Sequence, residues 1–363
     1  MEMIMLNDKG GPKLKRKANI EAAPKPGAKR ARGCRVATFC SGIEAPIQSL
    51  LDIGLDFVHT LSVENNDAVA RTLTANFSPE LFLHGDMCKL EPADLPDFDV
   101  VVAGTPCQPW AAQGNHKGFD DERAQPLIAM VSIIDVKRPA AFILEQSPLI
   151  RCERHKKQWA AFKGALLAIG DGAYHISEEE LNPKFLGIPQ NRPRLYILGI
   201  LMKALVASPQ LSGYGAVECK NLDELLDPKP KKWDANSRPH QKMQRKLVDD
   251  AIESFDKVGL NWRHECLVLN VGGTVLSVSH NQCPALTANR MGERAYWITN
   301  RGRYLNKSEA LRLQGMKDLR VPRGVSERQF LRMIGNAMCV PVLSFVFRAL
   351  DRSAPSIFNS IHR

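Results

Sequence analysis

From Arg35 onward, short apolar runs alternate with longer stretches of helical spacing, and this alternation constrains the fold more than any other feature of the chain. Arg35-Val36-Ala37-Thr38-Phe39 predicts a buried strand, followed by a glycine-bearing turn at Ser41-Gly42 and a helix from Ala45 to Asp52. Further strands are predicted over 57–63, 98–103 and 140–144, with helices over 68–77, 124–136 and 157–169 and two more strands near 174–178 and 195–200. Strands that alternate with helices imply βαβ units, so the expected class is α/β with a doubly wound, mostly parallel sheet. In such sheets a ligand sits beyond the carboxyl ends of the strands.

Those ends carry polar residues. Ser41 and Gly42 follow the first strand, Glu64 ends the second, and Asp86 follows the short segment 81–84. Cys107 follows the strand ending at Ala103, and Glu145 ends the next. One acid at a strand end is by default a turn residue; five such positions along one edge describe a site. The chain has neither G-x-G-x-x-G nor G-x-x-x-x-G-K-[ST], so the dinucleotide and P-loop fingerprints are absent. Glu64 is placed to accept hydrogen bonds from ribose hydroxyls and Asp86 from an adenine amino group. That pattern suits an adenosine cofactor without a polyphosphate.

Gly104-Thr105-Pro106-Cys107-Gln108-Pro109-Trp110 is the most informative run. Pro106 and Pro109 each restrict φ and bias the preceding residue away from helix, so the loop can present a thiolate on a stiff, half-extended backbone. The alternative is a buried structural cysteine. A zinc deaminase needs P-C-x-x-C, which the Trp110 position breaks. A cysteine hydrolase needs a histidine partner, and His116 and His155 stand in no recognisable pairing.

Composition narrows the setting. At 44% hydrophobic and 24% charged residues the chain reads as globular, and no apolar run approaches the roughly 18 residues of a membrane span. Its nine cysteines include no C-x-x-C pair, which disfavours a disulfide framework or a thiolate zinc site. The net charge of +10 is unevenly spread: residues 1–35 hold ten cations against three anions, leaving only +3 for the rest. A tail over 1–34 is expected to be disordered, with Lys13-Leu14-Lys15-Arg16-Lys17 and Lys29-Arg30-Ala31-Arg32 resembling a nuclear-import signal or a phosphate-binding arm.

From about Arg35 to Leu350 the chain resembles the cytosine-5 DNA methyltransferase family. Ser41-Gly42-Ile43-Glu44-Ala45 is similar to the family's first, cofactor-binding motif, and Glu64 and Asp86 match its ribose- and adenine-binding acids. Gly104 to Trp110 matches its Pro-Cys-Gln loop, and Gly118 to Arg123 the segment after it. Glu145-Gln146-Ser147 stands where the family has Glu-Asn-Val, Gln190 to Arg194 fits Q-x-R-x-R, and Gly335-Asn336-Ala337 with Val340 fits a late G-N-[AS] motif. Two departures stand beside functional positions: Gln146-Ser147, and Glu44 where the family more often has glycine.

The resemblance implies S-adenosylmethionine as cofactor, bound by Ser41, Gly42, Ile43, Glu64, Asp86, Gly104, Pro106, Asn336 and Ala337, with no metal. It implies Cys107, Glu145, Arg192 and Arg194 as the catalytic set. Carbon 5 of cytosine is too weak a nucleophile to take a methyl group unaided, so a cysteine first adds at carbon 6. An acid near ring nitrogen 3 then neutralises the charge that builds on the ring. Arg194 would hold the base's carbonyl oxygen, and Arg192 the loop and adduct.

The domains expected are catalytic over 35–202, target recognition over 203–283 in a smaller mixed domain, and a return segment over 284–363. Lys229 to Lys246 carries seven cations and one anion, with Trp233 and His240 interleaved. That strip is a candidate phosphate-contacting surface or, equally, a solvated helix face. Lys231, Lys232, Arg238, Lys242 and Arg290, with Gln108 and Lys117 of the cysteine loop, are the expected nucleic-acid contacts. Gly272-Gly273 predicts a tight hairpin. The expected substrate is double-stranded DNA with a flipped-out cytosine, acted on by a monomeric catalytic unit that binds no membrane. The alternatives are a tRNA cytosine-5 methyltransferase and an inactive DNA- or chromatin-binding relative. The tail favours the nucleus, with the cytoplasm of a bacterial or phage-infected cell as the alternative.

Overall fold

The computed structural model describes residues 33–110, 117–213, 217–229, 234 and 236–359. Its first half runs β1 (Cys34–Phe39), α1 (Ala45–Ile53), β2 (Phe57–Glu64), α2 (Asp67–Asn76), β3 (Leu81–His84), β4 (Val100–Gly104), α3 (Gln125–Lys137), β5 (Ala141–Gln146), α4 (Lys156–Ala168), β6 (Tyr174–Leu181), β7 (Gln190–Asn191) and β8 (Arg194–Leu201). Then come α5 (Leu222–Leu225), α6 (Lys242–Lys257), β9 (Leu267–Asn270), β10 (Ser277–His280), β11 (Cys283–Pro284), α7 (Ala288–Gly292), β12 (Tyr296–Ile298), β13 (Arg303–Tyr304), α8 (Lys307–Leu313), α9 (Glu327–Asn336) and α10 (Val340–Ser353). All but two residues of the expected basic tail lie outside the described residues, as do Lys231 and Lys232.

Seven strands form the main sheet in the order β3-β2-β1-β4-β5-β8-β6. All neighbours are parallel except where β8 runs antiparallel to both β5 and β6. The chain leaves β1 in two directions, to β2 on one side and β4 on the other, so a crevice opens at the strand ends between them. Alternation along the strands fills both faces. Val36, Val100, Val102, Ile143 and Leu198 join one core cluster with α1 and α10, while Ala37, Val101, Phe142, Leu144 and Ile197 join a second with α3 and α4. This is the doubly wound α/β architecture expected from the sequence.

A smaller antiparallel sheet, in the order β10-β9-β12-β13, takes strands from both sides of residue 283. It packs its inner face on α6, where Val248, Ala251 and Ile252 meet Leu267, Leu269 and Trp297. β9 and β10 form the hairpin around Gly272-Gly273. A two-residue parallel pairing of β7 with β11 ties the segment after the hairpin back to the main body. Among the described residues one run, Glu327–Ser353, is long and apolar enough to cross a membrane by composition. It is split into α9 and α10, whose Phe330, Ile334, Leu343 and Phe347 are buried in the core.

Candidate active site

The site lies along the carboxyl edge of the main sheet. Register places Gly104 of β4 opposite Glu145 of β5, and Glu145 opposite Tyr196 of β8. Because β8 is antiparallel, Arg194 at its start shares an edge with Glu145 near the end of β5. Three segments distant in sequence thus bring Cys107, Glu145 and Arg194 together.

Cys107 is half-buried, with Sγ 3.8 Å from the Thr105 carbonyl. Burial and the nearby Glu145 carboxyl push its thiol up to about 11, against the opposing influence of Arg194 and Arg192. Glu145 is 4% exposed, and its Oε1 lies 3.2 Å from Arg194 Nε. The angle does not make this ion pair a hydrogen bond, so both atoms are buried without a hydrogen-bond partner. Two such atoms, one acceptor and one donor, suit a planar polar ligand that can bond to both.

Gln146 explains one sequence departure. Its amide is fully buried and donates to Thr105 Oγ1 at 3.0 Å, with the Thr105 and Pro106 carbonyls each at 3.4 Å. The side chain therefore holds the backbone just before Cys107. Arg192 lies close enough to influence the Cys107 thiol, but its guanidinium is turned to the main chain. It donates through Nη1 to the Leu286 carbonyl and, at 3.2 Å, to that of Gly335, and through Nη2 to that of Ala337 at 3.0 Å.

Sequence reasoning assigned no role to two glutamines that complete this knot. Gln190 Nε2 donates to the Leu313 carbonyl at 2.7 Å and Gln190 Oε1 accepts from Leu286 N–H. Gln314 Nε2 donates to the carbonyls of Ile334 and Ala337. Only the first lies in a motif, Q-x-R-x-R. Met338 follows Ala337 of this network, and its methyl approaches to 2.7 Å the place a Gly104 side chain would take.

On the other side of the crevice, Cys40, Gly42 and Glu44 all adopt left-handed φ, at 48°, 58° and 58°. Ser41 Oγ bonds the Thr38 carbonyl, and Gly42 N–H donates to Glu64 Oε2 at 3.1 Å. Glu64 Oε1 accepts from Asn65 and Asn66 N–H, each at 3.0 Å. A carboxylate has about four lone-pair sites, so three backbone donors leave Glu64 one acceptor for a ligand. Asp86 caps the short turn at Met87 through Oδ1 and leaves Oδ2 for another donor. Open space surrounds the position of a Gly42 side chain. Acceptors for hydroxyl and amino groups beside an unobstructed glycine turn fit an adenosine.

The remaining expected contacts are dispersed. The Ile43 side chain is in the core at 1% exposure, whereas Pro106 is half-buried and Asn336 exposed at the end of α9. Gln108 and Lys117 are exposed at either side of residues 111–116, which lie outside the described set. Lys242 is exposed at the start of α6, and Arg238 pairs with Asp249 at 2.5 Å. Arg290 packs its guanidinium against Gly272 and Gly273 of the hairpin, its Nη1 buried without a partner.

Residues 34–352 match the model of the C-5 cytosine-specific DNA methylase family. The chain is 30% identical over 287 residues to the Type II methyltransferase M.HaeII of Haemophilus aegyptius, covering 79% of this chain and 81% of that one. It is 29% identical over 301 residues to the Type II methyltransferase M.NlaX of Neisseria lactamica, covering 82% and 89% respectively. The solved Dnmt2 methyltransferase of S. pombe shares the fold, with a TM-score of 0.62 at 17% identity over 88% of this chain and 98% of that one. The matched range takes in the cysteine loop, the Glu145 strand and the late glycine-asparagine turn, and the chain belongs to the C-5 cytosine-specific DNA methylase family.

Proposed function

We propose that this DNA cytosine-5 methyltransferase acts on a flipped-out cytosine in duplex DNA, with Cys107 as covalent nucleophile and S-adenosylmethionine as methyl donor. The observation that carries the reading is the convergence of Cys107 with Glu145 and Arg194, two buried groups whose facing atoms have no hydrogen-bond partner. Cys107 gives its thiol proton to solvent and Sγ adds to carbon 6 of the ring, and the displaced electron pair moves toward ring nitrogen 3 and the carbonyl oxygen. Glu145 holds a proton at nitrogen 3, and Arg194 donates to the oxygen. When bound, S-adenosylmethionine supplies the methyl group that carbon 5 of the activated ring accepts. Transfer of the carbon 5 proton to water returns an electron pair to the ring and expels the Cys107 thiolate, restoring aromaticity.

Glu64, through its remaining lone pair, and Asp86, through Oδ2, would hold the ribose and adenine ends of the donor. We assign Ser41, Gly42, Gly104, Pro106 and Asn336 to the same donor on the strength of their motifs. Arg192 acts as a positioning residue here: it binds the carbonyls of Leu286, Gly335 and Ala337 and leaves the base to Arg194. Flipping costs a few kcal/mol of stacking, which contacts from Gln108, Lys117, the α6 end and the small sheet over 267–304 would offset. We read the small sheet with α6 as the target-recognition region and the catalytic unit as a monomer. The Haemophilus and Neisseria relatives favour the cytoplasm of a bacterial or phage-infected cell over the nucleus suggested by the tail.

A duplex carrying 5-fluorocytosine tests the nucleophile, because fluorine at carbon 5 cannot leave as a proton and the adduct persists. The native protein should be retained covalently, and Cys107→Ser should not. An adduct that survives this substitution removes Cys107 from the mechanism. Label from S-adenosylmethionine should pass to duplex DNA; transfer to tRNA alone would reassign the substrate.

A further inference from the structure

Glu44 combines three unusual features. It is fully buried, its left-handed backbone at φ 58° suits glycine better than any side chain, and its Oε2 has no partner. A buried carboxyl and a left-handed non-glycine residue each cost free energy, so retaining both at one position calls for a compensating role. A glycine at this position would avoid both costs.

The side chain reaches under the turn it belongs to. Glu44 Oε1 accepts from Thr38 Oγ1 at 2.8 Å and from Ser62 Oγ at 2.6 Å. Ser62 Oγ is 2.7 Å from His59 Nε2, and Thr38 Oγ1 is 2.8 Å from Ser41 Oγ. Each hydroxyl has one hydrogen, which orders the chain. The neutral His59 ring donates to Ser62 and Ser62 to Glu44, while Thr38 donates to Glu44 and the one Ser41 hydrogen is shared between Thr38 Oγ1 and the Thr38 carbonyl. Burial holds His59 down at about 4 and pushes Glu44 up to about 8, so both are uncharged at neutral pH. The chain runs from β2 through β1 to Ser41, whose neighbour Gly42 donates to Glu64.

We propose that Glu44 is a positioning residue for the methyl-donor site: its buried carboxyl braces the Cys40–Glu44 turn from behind and so sets Ser41, Gly42 and Glu64 for the cofactor. The proposal rests on the reading of that turn as the cofactor site. The carboxyl group is fully buried, out of reach of DNA and of the reacting base, so its loss should act on donor affinity alone.

Calorimetric titration of the full-length protein with S-adenosylhomocysteine provides the test without requiring turnover. Glu44→Leu, which loses the acceptor, should bind about tenfold more weakly, the effect of one lost buried hydrogen-bonding group. Glu44→Gln keeps an acceptor at the Oε1 position and should stay within about threefold of the native protein. The kcat at saturating donor and the KM for DNA should not change in either variant. Should Glu44→Leu fail to fold, Thr38→Val and Ser62→Ala each remove one strut and should each weaken binding by a smaller factor. Native affinity in all of these variants, or a fall in kcat equal to the fall in affinity, overturns the proposal. A native protein that binds no S-adenosylhomocysteine instead overturns the cofactor reading itself.

Discussion

Burial and the nearby Glu145 carboxyl hold Cys107 as a thiol. With its acidity suppressed to about 11, only a small fraction is thiolate at neutral pH, so the free enzyme is protected from adventitious alkylation and oxidation. Below that value the thiolate fraction grows about tenfold per pH unit. Alkylation of Cys107 by iodoacetamide, followed by mass spectrometry of its peptide, should therefore rise about tenfold per unit from pH 7 to 9. A rate that levels off within this range would show that Arg194 and Arg192 outweigh burial. Gln146 supports the same loop by reaching Thr105 and Pro106. Gln146→Asn shortens the side chain by one methylene and should lower kcat about tenfold, equivalent to about 1.4 kcal/mol of lost loop positioning, while leaving the KM for the donor unchanged. An unaltered kcat would make Gln146 a filler of core space.

Elements distant in sequence meet at Gly335 on α9. A side chain there would come within 2.5–2.6 Å of the Thr287 and Ala288 backbone at the start of α7, and backbone cannot turn aside as a flexible side chain can. Gly335→Ala should push α9 off α7 and cost about 1–3 kcal/mol, the usual effect of overpacking, seen as a fall of several degrees in Tm. Donor affinity should fall with it, because Asn336 ends the same helix; a native Tm would mean that α7 yields. The sequence signalled this glycine through its motif but not the reason for it. The doubly wound sheet was legible because apolar period and helical spacing are local, and so was the placement of Glu64, Asp86 and Glu145 at strand ends. The reversal of β8 that brings Arg194 to Glu145 was not, since strand direction leaves no trace in periodicity. Nor was the fate of Arg192, whose carbonyl partners lie 94, 143 and 145 residues away. Glu44 was equally hidden, because a glutamate is expected at the surface unless its partners are known.

At the scale of the whole molecule the positive charge is unevenly divided. The proposed catalytic residues lie in a body in which cations and anions nearly balance, where Arg192 is bound to main-chain carbonyls and Arg194 lies 3.2 Å from Glu145. Most of the excess lies in the first 32 residues, with nine cations against three anions. Phosphate contacts set affinity and its salt dependence but carry no sequence information, so a protein divided in this way should lose one property without the other. Deleting residues 1–32 removes six net positive charges. If these meet phosphates, the slope of log affinity against log salt should become shallower by about 2–5, at roughly 0.9 for each phosphate no longer neutralised. The kcat on saturating duplex and the yield of the 5-fluorocytosine adduct should stay at native values, since Cys107, Glu145 and Arg194 are all positioned by the body. An unchanged slope would confine DNA binding to the body, where the exposed Lys117 and Lys242 and the hairpin over Arg290 would have to neutralise the phosphates.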